Sequence, residues 1–178
     1  MVAAIRKSLN SEKDKIDEIW NKAEERIIDL IYKMLEEIYA LIIKFIKECY
    51  PEADTSKKLD IKSLTWQEDG KSIEDRITTY CQYAAEALKN NDEHIKDTLI
   101  YNMMRIIDTE SITIANQMLK KRVSKIYKFG QVIGDGCPSC IPRTKKIVPV
   151  EELDWPPYHP NCCCIAVLYT EEEIMEAD

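Results

Sequence analysis

The chain has 178 residues, of which 32% are charged and 45% apolar, a balance that excludes a disordered or membrane-embedded protein and suits a helical domain with a small appendage. Its net charge of -7 excludes a protein that coats nucleic acid by bulk electrostatics, because that needs clustered Lys and Arg against phosphate. Lys44 and Lys47 interrupt the richest apolar run, 38–46, so no segment reads as membrane-spanning. The opening residues lack the apolar stretch of a secretory signal, and folding in a cytoplasm is the expectation.

The first predicted element is one long helix over 11–49, with Trp20, Ala23, Ile27, Leu30, Met34, Ile38, Leu41 and Phe45 three and four apart on one face. Between 27 and 46 the apolar positions widen to include Ile28, Ile31, Leu35, Ile42 and Ile43, more than one partner helix covers. A central bundle helix is expected, with an oligomerisation helix as the alternative. Pro51 ends it. Residues 52–71 read as an irregular connection, with a polar cluster at 54–58 and the turn signal Glu68-Asp69-Gly70. Ser72 followed by Asp75 predicts an N-terminal cap, and a second helix carries Ile73, Ile77, Tyr80, Ala84 and Leu88 as far as the turn Asn90-Asn91-Asp92. A third helix is predicted from about 92 to 127 on Ile95, Leu99, Met103, Ile107, Ile114 and Met118, either continuous or broken near 108–111.

Cys49 and Cys81 sit beside apolar faces and read as small buried hydrophobes, and His94 reads as a solvated side chain. Lys120, Lys121, Arg122, Lys125 and Lys128 form a basic run. Such a run is expected to be a solvated helix end stabilised by the negative pole of the helix dipole, with a nucleic-acid contact as the alternative.

At Phe129 the composition changes. Gly130, Gly134 and Gly136 precede Cys137, and six of the seven prolines lie between 138 and 160, which excludes regular helix there. Residues 165–168 can form a short strand, and the acidic tail 171–178 a last helical turn or a disordered end. The expected fold is therefore mainly α: a long-helix bundle over 1–129, a small C-terminal zinc knuckle with short β-strands over 130–170, and the acidic tail.

Five of the seven cysteines fall between 137 and 164, arranged as Cys-x2-Cys, eighteen intervening residues, then His-x2-Cys. Paired donors on tight turns at that spacing are a zinc signature. Cys137, Cys140, His159 and Cys162 are the expected ligands. Cys164 is the alternative fourth, because residues 162 and 164 of a strand point to one side. Four ligands leave no open position for water, so the zinc is expected to be structural. A thioredoxin-like pair at Cys137 and Cys140 lacks the strand-loop-helix setting. A His-Asn-His nuclease using His159 and Asn161 lacks further histidines for catalysis, and a disulfide framework does not suit a cytoplasm.

The stretch CPSC followed by PPYHPNCCC resembles the C-terminal segment of the Mu F-like phage head-morphogenesis proteins, also described as minor head or minor capsid proteins. Those proteins carry Cys-Pro-x-Cys, a turn-rich insert, then Pro-x-His-Pro-Asn-Cys-Arg-Cys, so Cys163 stands where the family has Arg. Their upstream Arg-Thr-Glu signature and Ala-x-Asn-like stretch resemble Arg105, Thr109-Glu110 and Ala115-Asn116, and the resemblance covers roughly 103–169. It implies a non-enzymatic protein of the virion head, assembled in the bacterial host cytoplasm. A few copies would lie close to the portal, contacting portal or capsid proteins or one another, aiding head assembly and DNA passage. Lys120, Lys121, Arg122, Lys125 and Lys128 would then face DNA. The alternative from another class is a small zinc-dependent nucleic-acid-binding protein or nuclease.

Overall fold

The computed structural model describes residues 2–64, 71–90, 92, 94–134, 136–144 and 146–175. The fold is mainly helical: α1 (Val2–Cys49), α2 (Ile73–Lys89), α3 (Ile95–Arg122) and a short α4 (Glu171–Met175), with strands β1 (Phe129–Ile133), β2 (Ile147–Pro149) and β3 (Ile165–Tyr169) between α3 and α4. The chain divides into two compact units, Met1–Lys33 with Gln67–Arg105, and Met34–Trp66 with Ile106–Asp178. The turn signal Glu68-Asp69-Gly70, Asn91 and residues 176–178 lie outside the described residues.

In the first unit, α2 begins where the sequence places a cap. Ser72 Oγ accepts the Asp75 N–H at 3.1 Å and Asp75 Oδ2 accepts the Ser72 N–H at 3.0 Å, which satisfies two of the donors a helix start leaves open. Ile73, Ile77, Cys81, Ala84 and Ala85 bury one face of α2. Lys89 Nζ reaches Asp17 Oδ1 of α1 at 2.6 Å, and Thr78 Oγ1 donates to Glu24 Oε1 at 2.6 Å. Cys81 is buried as expected, and burial pushes its thiol up to about 11. His94 is exposed.

The core of the second unit is built by Leu35, Tyr39 and Ile46 of α1, Ile114, Met118 and Leu119 of α3, and Val132, Ala166 and Leu168 of the sheet. The Tyr50 and Tyr127 rings meet edge to face, 5.1 Å between centroids. α3 is continuous through 108–111, where Ser111 and Thr113 donate their hydroxyls to the Ile107 and Thr109 carbonyls within the helix, at 2.6 and 2.8 Å. It ends at Arg122, short of 127, in turns closed by Val123 and Tyr127. The three strands form one antiparallel sheet in the order β2-β1-β3, with Phe129 opposite both Pro149 and Tyr169. A side chain at 130 would meet Leu153 and Leu168, each at 2.9 Å, so Gly130 lets the central strand lie close beneath them. Segment 130–170 thus belongs to the same compact unit as the second half of α1 and the end of α3.

Two expectations for α1 are corrected. Its buried positions are Ile31, Leu35, Tyr39 and Ile46, whereas Leu30, Leu41 and Phe45 of the expected stripe are exposed. The helix carries two neighbouring apolar stripes, and its fully buried side chains all belong to one of them. Cys49, expected to be buried, is exposed at the last residue of α1. Among the described residues no helix is long and apolar enough to cross a membrane.

Candidate metal centre

Two tight turns bring the donors together. In the first, the Cys140 N–H donates to the Cys137 carbonyl at 2.8 Å, and the Ile141 N–H to the same oxygen at 3.0 Å. In the second, the Cys162 N–H donates to the His159 carbonyl at 3.1 Å. Gly136 enters the first turn at φ 90° and Asn161 closes the second at φ 60°, left-handed values suited to Gly and Asn. Each turn therefore presents its first and fourth side chains to one side.

The two pairs face each other. Cys137 Sγ lies 3.3 Å and Cys140 Sγ 3.1 Å from His159 Nε2, and Cys140 Sγ lies 3.8 Å from Cys162 Sγ. The donor atoms form two groups that share Cys140: Cys137, Cys140 and His159, then Cys140, Cys162 and Cys164, each within 4.8 Å. The cluster of five could hold a metal ion. The His159 ring is set for this role. Its Nδ1 stands 2.7 Å from the Pro160 carbonyl oxygen and carries the ring proton toward it, so the Nε2 lone pair aims at the two sulfurs.

Cys140, Cys162 and Cys164 are buried, Cys137 is half-buried and Cys163 exposed, as alternation along the extended segment requires. The Ser139 backbone N–H beside Cys137 lowers its thiol, and Cys140 and His159 add to this. Burial raises the Cys140 thiol, with neighbouring Cys164 and Cys162 adding, and raises Cys164 to about 11. A soft cation that replaces those protons removes the penalty.

Several residues hold the cluster in place, and α3 supplies the most direct of them. Asn116, buried, donates its Nδ2 to the Cys164 carbonyl at 3.1 Å and accepts the Ala166 N–H on Oδ1 at 2.8 Å. One turn pair earlier on the helix, buried Thr109 accepts the Asn161 N–H on Oγ1 at 2.9 Å. Seven residues apart, the two lie on one face of α3 and grip the second turn at both ends. Gly134 fits against the sulfur of Cys164, where a Cβ would stand 2.4 Å away. Arg143 spans the insert, donating to the Ser139 carbonyl at 2.7 Å and to Asp154 Oδ2 at 3.0 Å, with its guanidinium 4.8 Å from the Tyr158 ring centre. Thr109 and Asn116 belong to the helix signature read in the sequence. Their grip on the turn, and the parts played by Gly134 and Arg143, carry no sequence signal.

The basic run is partly engaged within the chain. Arg122 donates to the Lys57 carbonyl, and Lys120 Nζ lies 5.8 Å above the Trp155 ring. Lys121, Lys125 and Lys128 are exposed. No family model, no curated protein and no solved structure matches this chain.

Proposed function

We propose that this chain is a structural minor head protein of a tailed phage or prophage, placed close to the portal and carrying one structural zinc on Cys137, Cys140, His159 and Cys162. The donor set supports the metal assignment. A tetrahedral zinc with sulfur at about 2.3 Å and nitrogen at about 2.05 Å has sulfur–sulfur edges of about 3.8 Å and sulfur–nitrogen edges of about 3.5 Å. The Cys140 to Cys162 separation of 3.8 Å matches the first, and the sulfur separations of 3.1 and 3.3 Å from His159 Nε2 reach the second with movements of a few tenths of an ångström.

The head-protein reading rests on the resemblance of 103–169 to the Mu F-like proteins. Its observation is that Thr109 and Asn116, from the helix signature, touch the turn and strand of the cysteine motif. Two motifs that resemble one family are then parts of one structure. Partners would be portal and capsid proteins, and a DNA contact would fall to Lys121, Lys125 and Lys128. The test is purification of heads from the producing host. The chain should co-purify with head or portal and show no divalent-metal-dependent DNA cleavage. Metal-dependent nicking that disappears on His159→Ala would overturn this reading in favour of a zinc-dependent nuclease.

A further inference from the structure

The cluster offers one donor more than a tetrahedral ion uses. With Cys137, Cys140, His159 and Cys162 on zinc, the Cys164 thiol is left over, yet the fold fixes it in place. Cys164 is buried, its carbonyl accepts the Asn116 side-chain N–H at 3.1 Å, and its sulfur fills the space beside Gly134, where a Cβ would stand 2.4 Å away. That sulfur lies within 4.8 Å of both the Cys140 and the Cys162 sulfurs. A thiol that only filled the core would have no need to stand among the donors.

The five donor atoms divide in a way that suits ions of lower coordination number. One set is Cys137, Cys140 and His159, two sulfurs and a nitrogen; the other is Cys140, Cys162 and Cys164, three buried sulfurs. Cys140 is common to both, and a thiolate sulfur has lone pairs enough to bridge two metals. Two ions with three donors each, sharing one, take all five and leave none over. Zinc does not suit this loading, because it completes four ligands and each set supplies three. A soft monovalent ion does, since Cu(I) favours thiolate and imidazole and is stable with three ligands. Three sulfurs at a metal–sulfur length of about 2.3 Å stand about 4.0 Å apart in a plane, close to the 3.8 Å between Cys140 and Cys162. In the first set the 3.1 and 3.3 Å separations from His159 Nε2 must widen by about 0.6 Å, and half-buried Cys137 is the donor free to move.

We infer that the cluster is a two-ion site for a soft monovalent metal of the Cu(I) class. One ion sits on Cys137, Cys140 and His159, the other on Cys140, Cys162 and Cys164, with the Cys140 thiolate bridging them. This loading and the zinc loading exclude one another, because both take Cys140. All five donors lie in the second compact unit. The inference deepens the metal half of the proposed function and rests on that reading of the cluster as a metal centre.

The experiment is titration of the full chain, reduced and kept free of oxygen, with Cu(I) supplied as its bicinchoninate complex. Excess chelator holds free Cu(I) too low for single thiols such as the exposed Cys49 and Cys163. Native mass spectrometry should count two Cu(I) per chain, and a zinc-loaded chain should release its zinc as they bind. X-ray absorption at the copper edge should find five sulfur contacts and one nitrogen contact shared over the two ions, with a copper–copper scattering path from the bridge. Cys164→Ser should lower the count to one Cu(I) while keeping one zinc and the helical circular-dichroism signal, and Cys163→Ser should change neither count. A single Cu(I) per wild-type chain overturns the inference. So do two without a copper–copper path, zinc retained beside two Cu(I), or a count of two that survives Cys164→Ser. In separate titrations, one zinc with only one Cu(I) leaves the zinc reading standing alone, two bridged Cu(I) with no zinc removes the zinc reading alone, and no binding of either metal removes both.

Discussion

Single residues decide whether the cysteine cluster is formed. Asn116 holds an N–H and a carbonyl that would otherwise be buried without partners, each costing about 1–3 kcal/mol. Asn116→Ala should therefore destabilise the fold by about 3 kcal/mol in urea unfolding. Of the two contested thiols, Cys162 stands at the tetrahedral distance from Cys140, and Cys164 packs its sulfur against Gly134. Cys162→Ser should lower zinc affinity at least tenfold in competition with a chromophoric chelator, while Cys164→Ser keeps one zinc per chain. Proton release gives a further check. Burial raises the Cys140 and Cys164 thiols, so under the zinc proposal Cys140 would bind the metal only by giving up a proton it holds at neutral pH. Apparent affinity should rise with pH, about tenfold per unit for each proton displaced, and an affinity flat between about pH 6 and pH 8 would contradict thiolate ligation. That Cys137, Cys140, His159, Cys162 and Cys164 come together was legible in the sequence because a donor pair on a tight turn is a local pattern. Asn116 was legible only as part of a resemblance, since its partners lie 48 and 50 residues away and the spacing of one helix cannot show them.

Among the elements, helices with clear starts were the most legible. Ser72 and Asp75 predict the cap of α2 and form it. Ser72→Ala should cost about 1 kcal/mol by thermal or urea unfolding, the usual value for losing such a cap. α1 shows where periodicity misleads. Its stripes follow similar spacings a few residues out of phase, and the one with the longer apolar series holds no fully buried residue. Helical period identifies apolar faces but cannot say which partner each face meets. Of the two readings of α3 the continuous one holds, and the hydroxyls of its polar stretch are satisfied by carbonyls one turn earlier. No sequence pattern marks β1 or β2 individually, because five and three residues containing Gly130 and Pro149 fall below what alternation resolves. β3 stands as Ile165–Tyr169 against the expected 165–168.

At the scale of the whole molecule, the cysteine segment does not stand apart as a knuckle on a linker. It shares a unit with the second half of α1 and the end of α3, so metal binding should be felt beyond the loops that carry the donors. Chelation is expected to release amide protection across β1 and β3 in hydrogen exchange, and readdition of zinc to restore it. The grip on β3 has a further consequence. β1 occupies one edge of that strand, and on the other Asn116 takes the Ala166 N–H and the Tyr50 hydroxyl takes the Leu168 N–H at 3.4 Å. Donors that a foreign strand would use to extend the sheet are thereby already occupied, and the chain is guarded against fibril-like growth at an apolar strand, Ile-Ala-Val-Leu-Tyr, that would otherwise invite it.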